Sequence, residues 1–447
     1  MANDDGLVRA IRATAHTLAG SRSDFDPLLE LTRDARCVLI GEASHGTHEF
    51  YRMRAELTQR LIEEQGFVAI AAEADFPDAY RVNRYVRGLG FDSDAEEALG
   101  DFQRFPAWMW RNADVLDFVG WLRDHNDALP AKQKVGFYGL DLYSLHGSIA
   151  AVLAYLDRHD RAAAERARRR YGCFEHFGGD PESYGYMTGL GLSDNCEREV
   201  LAQLVELQRQ RDLMLREDGL ASEDDYFQAE QNARLVKDAE QYYRSMFGPR
   251  TSTWNLRDTH MADTLDALRT HLASRFDRPK VVVWAHNSHV GDARATEVGS
   301  EGELNIGQLA RTRYPGETVL IGFSTYRGSV TAASSWGGAA EHKRVQSGLP
   351  GSFEELFHRV GLPGFLLLPS EIENLSALAA FHEPRLQRAI GVVYKPETER
   401  LSHYYHVTLP RQFDAIIHLD RTRALEPLER LATLPEAEAP ETYPTGM

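Results

Sequence analysis

The stretch from Cys37 to Arg54, CVLIGEASHGTHEFYRMR, decides how the rest of the chain is read. Four apolar residues, Cys37 to Ile40, stop at Gly41, and Glu42, His45, His48 and Glu49 follow at once. The apolar run has strand length, whereas Phe50, Met53, Leu57 and Leu61 recur at helical spacing. The reading is strand, polar turn, helix. In an open α/β sheet such a turn lies at the carboxyl edge of a strand, where loops and helix N-termini face one crevice. Glu49 and His48 also have ordinary uses there, complementing the helix dipole and capping the helix.

Outward from this turn, the pattern repeats. A second strand, Phe67 to Ala72, ends in Glu73-Ala74-Asp75-Phe76-Pro77, and Pro77 opens a helix. The passage between the two strands has the size of a βαβ unit with a parallel crossover. A third strand, Lys134 to Gly139, ends in Leu140-Asp141. From about 146 to 275 the strand signal disappears. Residues 171–192, YGCFEHFGGDPESYGYMTGLGL, carry glycines and aromatics with no period and read as a functional loop. Phe174, Phe177, Tyr184 and Tyr186 suit it to be a lid or substrate wall. Glu197 to Arg216, burying Val200, Leu204, Leu207 and Met214, and Asp224 to Phe247, burying Ala229, Ala233, Val236, Tyr243 and Phe247, read as an antiparallel helical hairpin.

Strands resume at Lys280, Thr318, Gly364, Ala389 and Phe413. The unbroken apolar character of 281–284 and 319–321 is what a parallel sheet covered on both faces requires. The expected fold is therefore α/β, a mostly parallel central sheet flanked by helices with a large helical insertion. Residues 1–145 form the first part of the α/β core, 146–275 the insertion, and 276–433 the second part. Residues 434–447, rich in proline and glutamate, are expected to be a disordered tail.

Composition narrows the partners. With 447 residues, 43% hydrophobic and 26% charged, the chain has ordinary globular character, and a net charge of -17 opposes both nucleic acid and an anionic membrane surface. The N-terminus lacks the apolar core of a signal peptide and no run reaches spanning length, so a cytoplasmic protein acting on a small molecule is expected. Cys37, Cys173 and Cys196 are too few and too scattered for a disulfide framework or a zinc ribbon, and Cys37 reads as inert core.

The chemistry gathers at the strand exits. They present Glu42 and His45, then Glu73 and Asp75, then Asp141, then His286 and His289, and at a fifth exit Ser324, Thr325 and Tyr326. Parallel strands share one carboxyl edge, so these residues would line one crevice. Carboxylates beside imidazoles raise a histidine's basicity and fix its tautomer, as a general base needs. A hydrolytic reading follows, with His45 taking a proton from water and an arginine, Arg54 being nearest, stabilising the developing charge. Arg257 shares an apolar helix stripe with Met261, Leu265 and Leu268 and so requires an acidic partner, Asp141 or Glu73, as a buried structural clamp. No GxSxG elbow, phosphate loop, GxGxxG fingerprint or HEXXH pair occurs, which argues against a serine triad and nucleotide cofactors. Two alternatives stay open. One is a metal-dependent hydrolase using the same imidazoles and carboxylates. The other is a ligand-binding protein without turnover.

GEASHGTHEF, AEADF, GLDLY, NLRDTHMA and AHNSHV stand in the order and near the spacing found in the erythromycin esterase family, and roughly residues 35–420 resemble that family. The resemblance implies an α/β core with a helical insertion and hydrolysis of a macrolide lactone ester, an antibiotic-resistance activity, without a cofactor or covalent intermediate. It implies that His45 is the general base, with Glu42, Arg54, Glu73 and His286 as essential companions. His289 and Asp141 rank behind them as substrate-binding candidates, and the residues' own pattern, the polar turn and the aromatic stretch, adds His48, Phe177 and Tyr184 to that group. Gly46-Thr47-His48 and the aromatic stretch 171–192 depart from the resistance esterases, so the reaction type carries over better than the macrolide.

Overall fold

A computed structural model describes residues 2–177, 181–210, 219–248 and 250–429. Its strands are β1 (His16–Thr17), β2 (Cys37–Ile40), β3 (Ala69–Asp75), β4 (Gly136–Asp141), β5 (Val281–Trp284), β6 (Thr318–Ala332), β7 (Glu341–Val345), β8 (Gly364–Leu367), β9 (Arg385–Arg388), β10 (Tyr404–Val407) and β11 (Ala415–Thr422). Nine of them make one sheet in the order β1-β8-β11-β6-β2-β5-β3-β4, with β7 beside β6. The run β11-β6-β2-β5-β3-β4 is parallel throughout, while β8, β1 and β7 pair antiparallel. The fold is α/β with a mostly parallel sheet, and the exits of β2, β5, β3 and β4 lie side by side.

The apolar runs explain this directly. Cys37, Leu39, Ala69, Ala71, Val281 and Val283 enter one core, and Val38, Ile40, Ile70, Ala72, Val282 and Trp284 enter a second core on the opposite face. Successive strand residues alternate between faces, and here both faces are covered. Each fully buried leucine or valine contributes about 1.5–3 kcal/mol, so a polar substitution anywhere in these runs is costly.

Between β4 and β5 the chain is helical: Leu145–His159, Arg161–Tyr171, Pro181–Gly189, Glu197–Arg209, Gly219–Ser245 and Arg250–Leu272. The stretch 171–192 differs from the loop its composition suggested. It contains a 3-10 turn, Gly172–Phe177, and the helix Pro181–Gly189, and Cys173 is bonded to Cys196. Thus one bridge exists where the cysteine spacing had argued against a framework, and it ties this stretch to the next helix. Cys37 is the buried free thiol, pushed up to about 12 by burial. Val200, Leu204, Leu207, Ala229, Ala233, Val236 and Tyr243 are buried as their spacing predicts, but Phe247, just past its helix, is 53% exposed. Met214 and residues 434–447 lie outside the described residues. The strand expected from Ala389 is instead an extended crossing. Ile390 bridges Ser44 and Val393 bridges Ala333, while β9 ends at Arg388, pairs with β10 and bridges Ser352 through Leu386. No helix among the described residues is long and apolar enough to cross a membrane.

One buried histidine far from the turn at Glu42 makes a measurable prediction. His418 on β11 is fully buried, meets Ser324 Oγ through Nδ1 at 3.1 Å, and has its pKa lowered to about 3, first by burial and then by His358 and Arg388. The unfolded chain takes up this proton near pH 6.5 and the folded chain only near 3, so stability falls as pH drops through that window. From pH 7 to 5 this residue alone should cost about 2 kcal/mol, and His418→Phe should flatten that part of the urea-midpoint profile.

Candidate active site

Gly41 ends β2 because nothing larger fits. A Cβ there would stand 2.1 Å from Asn287 Oδ1. Asn287 in turn ties the exits of β2 and β5 to the body of β6: its N–H donates to the Glu42 carbonyl, its Nδ2 to the Phe323 carbonyl, and its Oδ1 accepts from the Phe323 N–H. The turn that follows is clamped from above. His45 N–H donates to the Ile390 carbonyl and Ile390 N–H to the Ala43 carbonyl, while the Gly46 carbonyl accepts from Thr331 and Leu425. A Cβ on Gly46 would lie 1.8 Å from the Thr331 carbonyl oxygen, which explains glycine directly after His45.

Within this frame, His45 Nδ1 lies 2.8 Å from Glu42 Oε1, and both side chains are nearly buried. The carboxylate accepts, so the proton sits on Nδ1 and Nε2 is left as the basic nitrogen. Behind Glu42, Arg54 Nη1 is 3.3 Å from Oε2, with the guanidinium over the rings of Tyr51 and Trp284. Arg54 is 1% exposed and does not line the cleft. The expectation that it stabilises charge on a substrate is therefore corrected: helical spacing turns it inward, and it can act only through Glu42.

His286 faces His45, with ring centroids 4.8 Å apart. Its Nδ1 accepts from the Ser288 N–H at 3.2 Å and lies 2.8 Å from Ser288 Oγ. A neutral ring with Nδ1 as acceptor carries its proton on Nε2, a buried atom whose surroundings include the Ala43 backbone carbonyl. Burial, aided by His45, holds His286 well below the usual imidazole pKa, so it is neutral near pH 7. The two rings thus present opposite poles: an acceptor on His45 and a donor on His286.

Glu73 and Asp141 come from the ends of β3 and β4. Glu73 Oε2 accepts from the His286 N–H at 2.8 Å, and its Oε1 from Arg257 Nη2 at 2.6 Å. Arg257 also reaches Asp141 through Nε at 3.0 Å and Nη2 at 2.7 Å, so both anticipated acids are its partners. Burial alone would raise the Glu73 carboxyl, but His289, Arg257 and His45 hold it well below the carboxylate range. His289 is gripped by both oxygens of Asp258 at 2.9 Å and stacks on Trp254. Burial works against its charged form, yet Asp258 and Glu73 more than offset this and raise its pKa. Asp75 holds Arg104 at 2.9 Å, and burial raises its carboxyl pKa.

His45, Glu73, Asp75, Asp141, Arg257, His286 and His289 line a single cavity of about 170 Å³. Glu42 touches it through His45. Several expected residues stay outside. His48 begins the helix His48–Gln65 and turns to Asp114 at 2.8 Å. Phe177 and Tyr184 pack on each other within the helical block, where the Tyr184 hydroxyl donates to Glu240 and accepts from Cys196 N–H. Ser324, Thr325 and Tyr326 are not at an exit, because β6 runs on to Ala332 to pair with β7. Two groups went unread in the sequence. Asp258 stands three and seven residues before Met261 and Leu265, so its place on the apolar stripe was a usable signal. Phe105, Trp336 and Val392 reach the cavity from remote segments, and nothing local marks them.

Residues 62–422 match the family model described as Erythromycin esterase. That range begins after Glu42, His45 and Arg54, whose placement is given by the contacts above. Erythromycin esterase type II of Escherichia coli is 23% identical over 403 residues, 85% of this chain and 93% of its own. The putative hydrolase YbfO of Bacillus subtilis is 20% identical over 417 residues, 90% of this chain and 86% of its own. A solved structure of an erythromycin esterase mutant in its open conformation superposes with a TM-score of 0.63 at 17% identity, covering 90% of this chain and 94% of that one.

Proposed function

The chain belongs to the erythromycin esterase family and is a hydrolase of that family, and we propose that it cleaves a carboxylic ester or lactone by direct attack of a water activated on His45. The observation that carries this reading is the opposed histidine pair. Water bound at His45 Nε2 gives up its proton to that nitrogen as it attacks the carbonyl carbon. The resulting imidazolium is stabilised by Glu42 at 2.8 Å, itself backed by Arg54. Charge developing on the carbonyl oxygen is met by the buried Nε2–H of His286, a donor held in place before the reaction begins. When the tetrahedral intermediate collapses, the leaving alkoxide takes the proton back from His45. Glu73 is held by the His286 N–H and by Arg257, so it orients rather than attacks.

The metal-dependent alternative is not favoured by the arrangement of donors. The Arg257 guanidinium is bound to Glu73 and Asp141, supplying the positive charge those carboxylates would seek. Among the described residues no group of three or more His, Cys, Asp or Glu side chains is disposed to hold a metal ion. The test is mass spectrometry of chelator-treated protein incubated with aryl esters, simple lactones and macrolides. A product heavier by one water, formed undiminished after chelation, is expected. Turnover restored only by added metal, or no product from any ester, would remove the reading.

A further inference from the structure

We propose that this cleft selects a compact, uncharged ester bearing a single ring, and that Phe105 and Trp336 set the size limit; this rests on the ester-hydrolase reading and deepens it. Three observations carry it. First, the cavity of about 170 Å³ is well under the roughly 300–1,000 Å³ of pockets that enclose drug-sized ligands. The cleft is open on one side, so a fourteen-membered macrolide with its sugars would not be enclosed and would have to stand out of its mouth.

Second, the walls are divided by chemistry. His45, Glu73 and His286 stand at the reacting end, and Phe102, Phe105, Met109, Trp110, Trp336 and Val392 form the apolar part. Phe105 precedes the turn Ala107–Met109, and Trp336 lies in the connection between β6 and β7, so two remote segments meet here. Their rings pair edge to face, centroids 4.9 Å apart at 66°. That orientation is the favourable one for two aromatic groups, and it closes space that a bulky alcohol or acyl portion would need. The indole Nε1 of Trp336 is buried without a partner, which leaves a donor for a polar atom of the ligand.

Third, the cations of the cleft are already engaged. Arg257 is bound to Glu73 and Asp141, and Arg104 to Asp75. Neither guanidinium is available to hold a carboxylate or phosphate on the substrate, and the surrounding acids repel one. An uncharged ester follows.

The experiment compares kcat/KM for phenyl acetate and for erythromycin in the parent protein and in Trp336→Ala, Phe105→Ala and Trp336→Phe, with thermal unfolding measured alongside. The parent should favour phenyl acetate by about a hundredfold or more, the scale on which a pocket wall discriminates by size. Trp336→Ala and Phe105→Ala should each raise the erythromycin-to-phenyl acetate ratio by about tenfold or more, and Trp336→Phe, which keeps a ring on the wall, by far less. Equal efficiency on both esters in the parent, or an unchanged ratio in both alanine variants, overturns the size limit and leaves the hydrolytic reading standing. Cleavage of neither ester overturns the hydrolytic reading itself.

Discussion

Replacing His45 by alanine is expected to lower kcat/KM for ester hydrolysis by about 10²–10⁴-fold while thermal unfolding stays close to that of the parent, because a positioned general base contributes on that scale. The two readouts separate because of what surrounds the ring. The imidazole fills little core, and after its removal Glu42 keeps its ion pair with Arg54, so no buried carboxylate is stranded. The backbone clamp on the turn uses the His45 N–H and the Gly46 carbonyl, which alanine retains. Steady-state kinetics beside a melting curve checks both halves. Activity within a few-fold of the parent would take the base away from His45, and a collapsed melting transition would make its role one of packing.

Arg257→Met should, unlike His45→Ala, lower stability. The substitution keeps length and apolar stem but removes the charge that pairs two buried carboxylates, Glu73 and Asp141, each about 5% exposed. Breaking a buried pair from one side costs about 3–5 kcal/mol, since the remaining charges stay in a poorly solvated place. The urea midpoint at pH 7 should fall accordingly. Much of the loss should be recovered at lower pH, where Glu73, no longer held down by the guanidinium, protonates more readily. A change below about 1 kcal/mol, the scale of an exposed ion pair, would mean that water already compensates these acids. Activity should fall as well, because Glu73 orients His286 through its backbone N–H at 2.8 Å.

Much of this site is legible in the chain because a parallel sheet turns one-dimensional order into a shared edge. Glu42, His45, Glu73, Asp141, His286 and His289 each follow an apolar run, and the parallel pairing of β2, β5, β3 and β4 brings the exits together. Arg257 was readable from helical periodicity, since a cation on an apolar stripe demands an acid. What escaped depends on contacts that no local pattern encodes. The length of β6 is set by its partner β7, which moves Ser324 to Tyr326 away from the edge. Phe177 and Tyr184 looked like a lid by composition, but their rings found partners inside the helical block. Arg54 has the right spacing to reach the site, yet the aromatic faces of Tyr51 and Trp284 hold it behind Glu42. The crossing at Ile390, which clamps His45, comes from a segment whose apolar run reads as one more strand of the sheet.

In the proposed reaction water, not a carboxylate of the protein, is the group that bonds to the carbonyl carbon. Hydrolysis of phenyl acetate under single-turnover conditions in ¹⁸O-water tests this most directly. Direct attack activated by His45 places the label in the acetate of the first turnover and none in the protein. Unlabelled acetate in that turnover, with ¹⁸O appearing in a protein carboxylate such as Glu73, would contradict it.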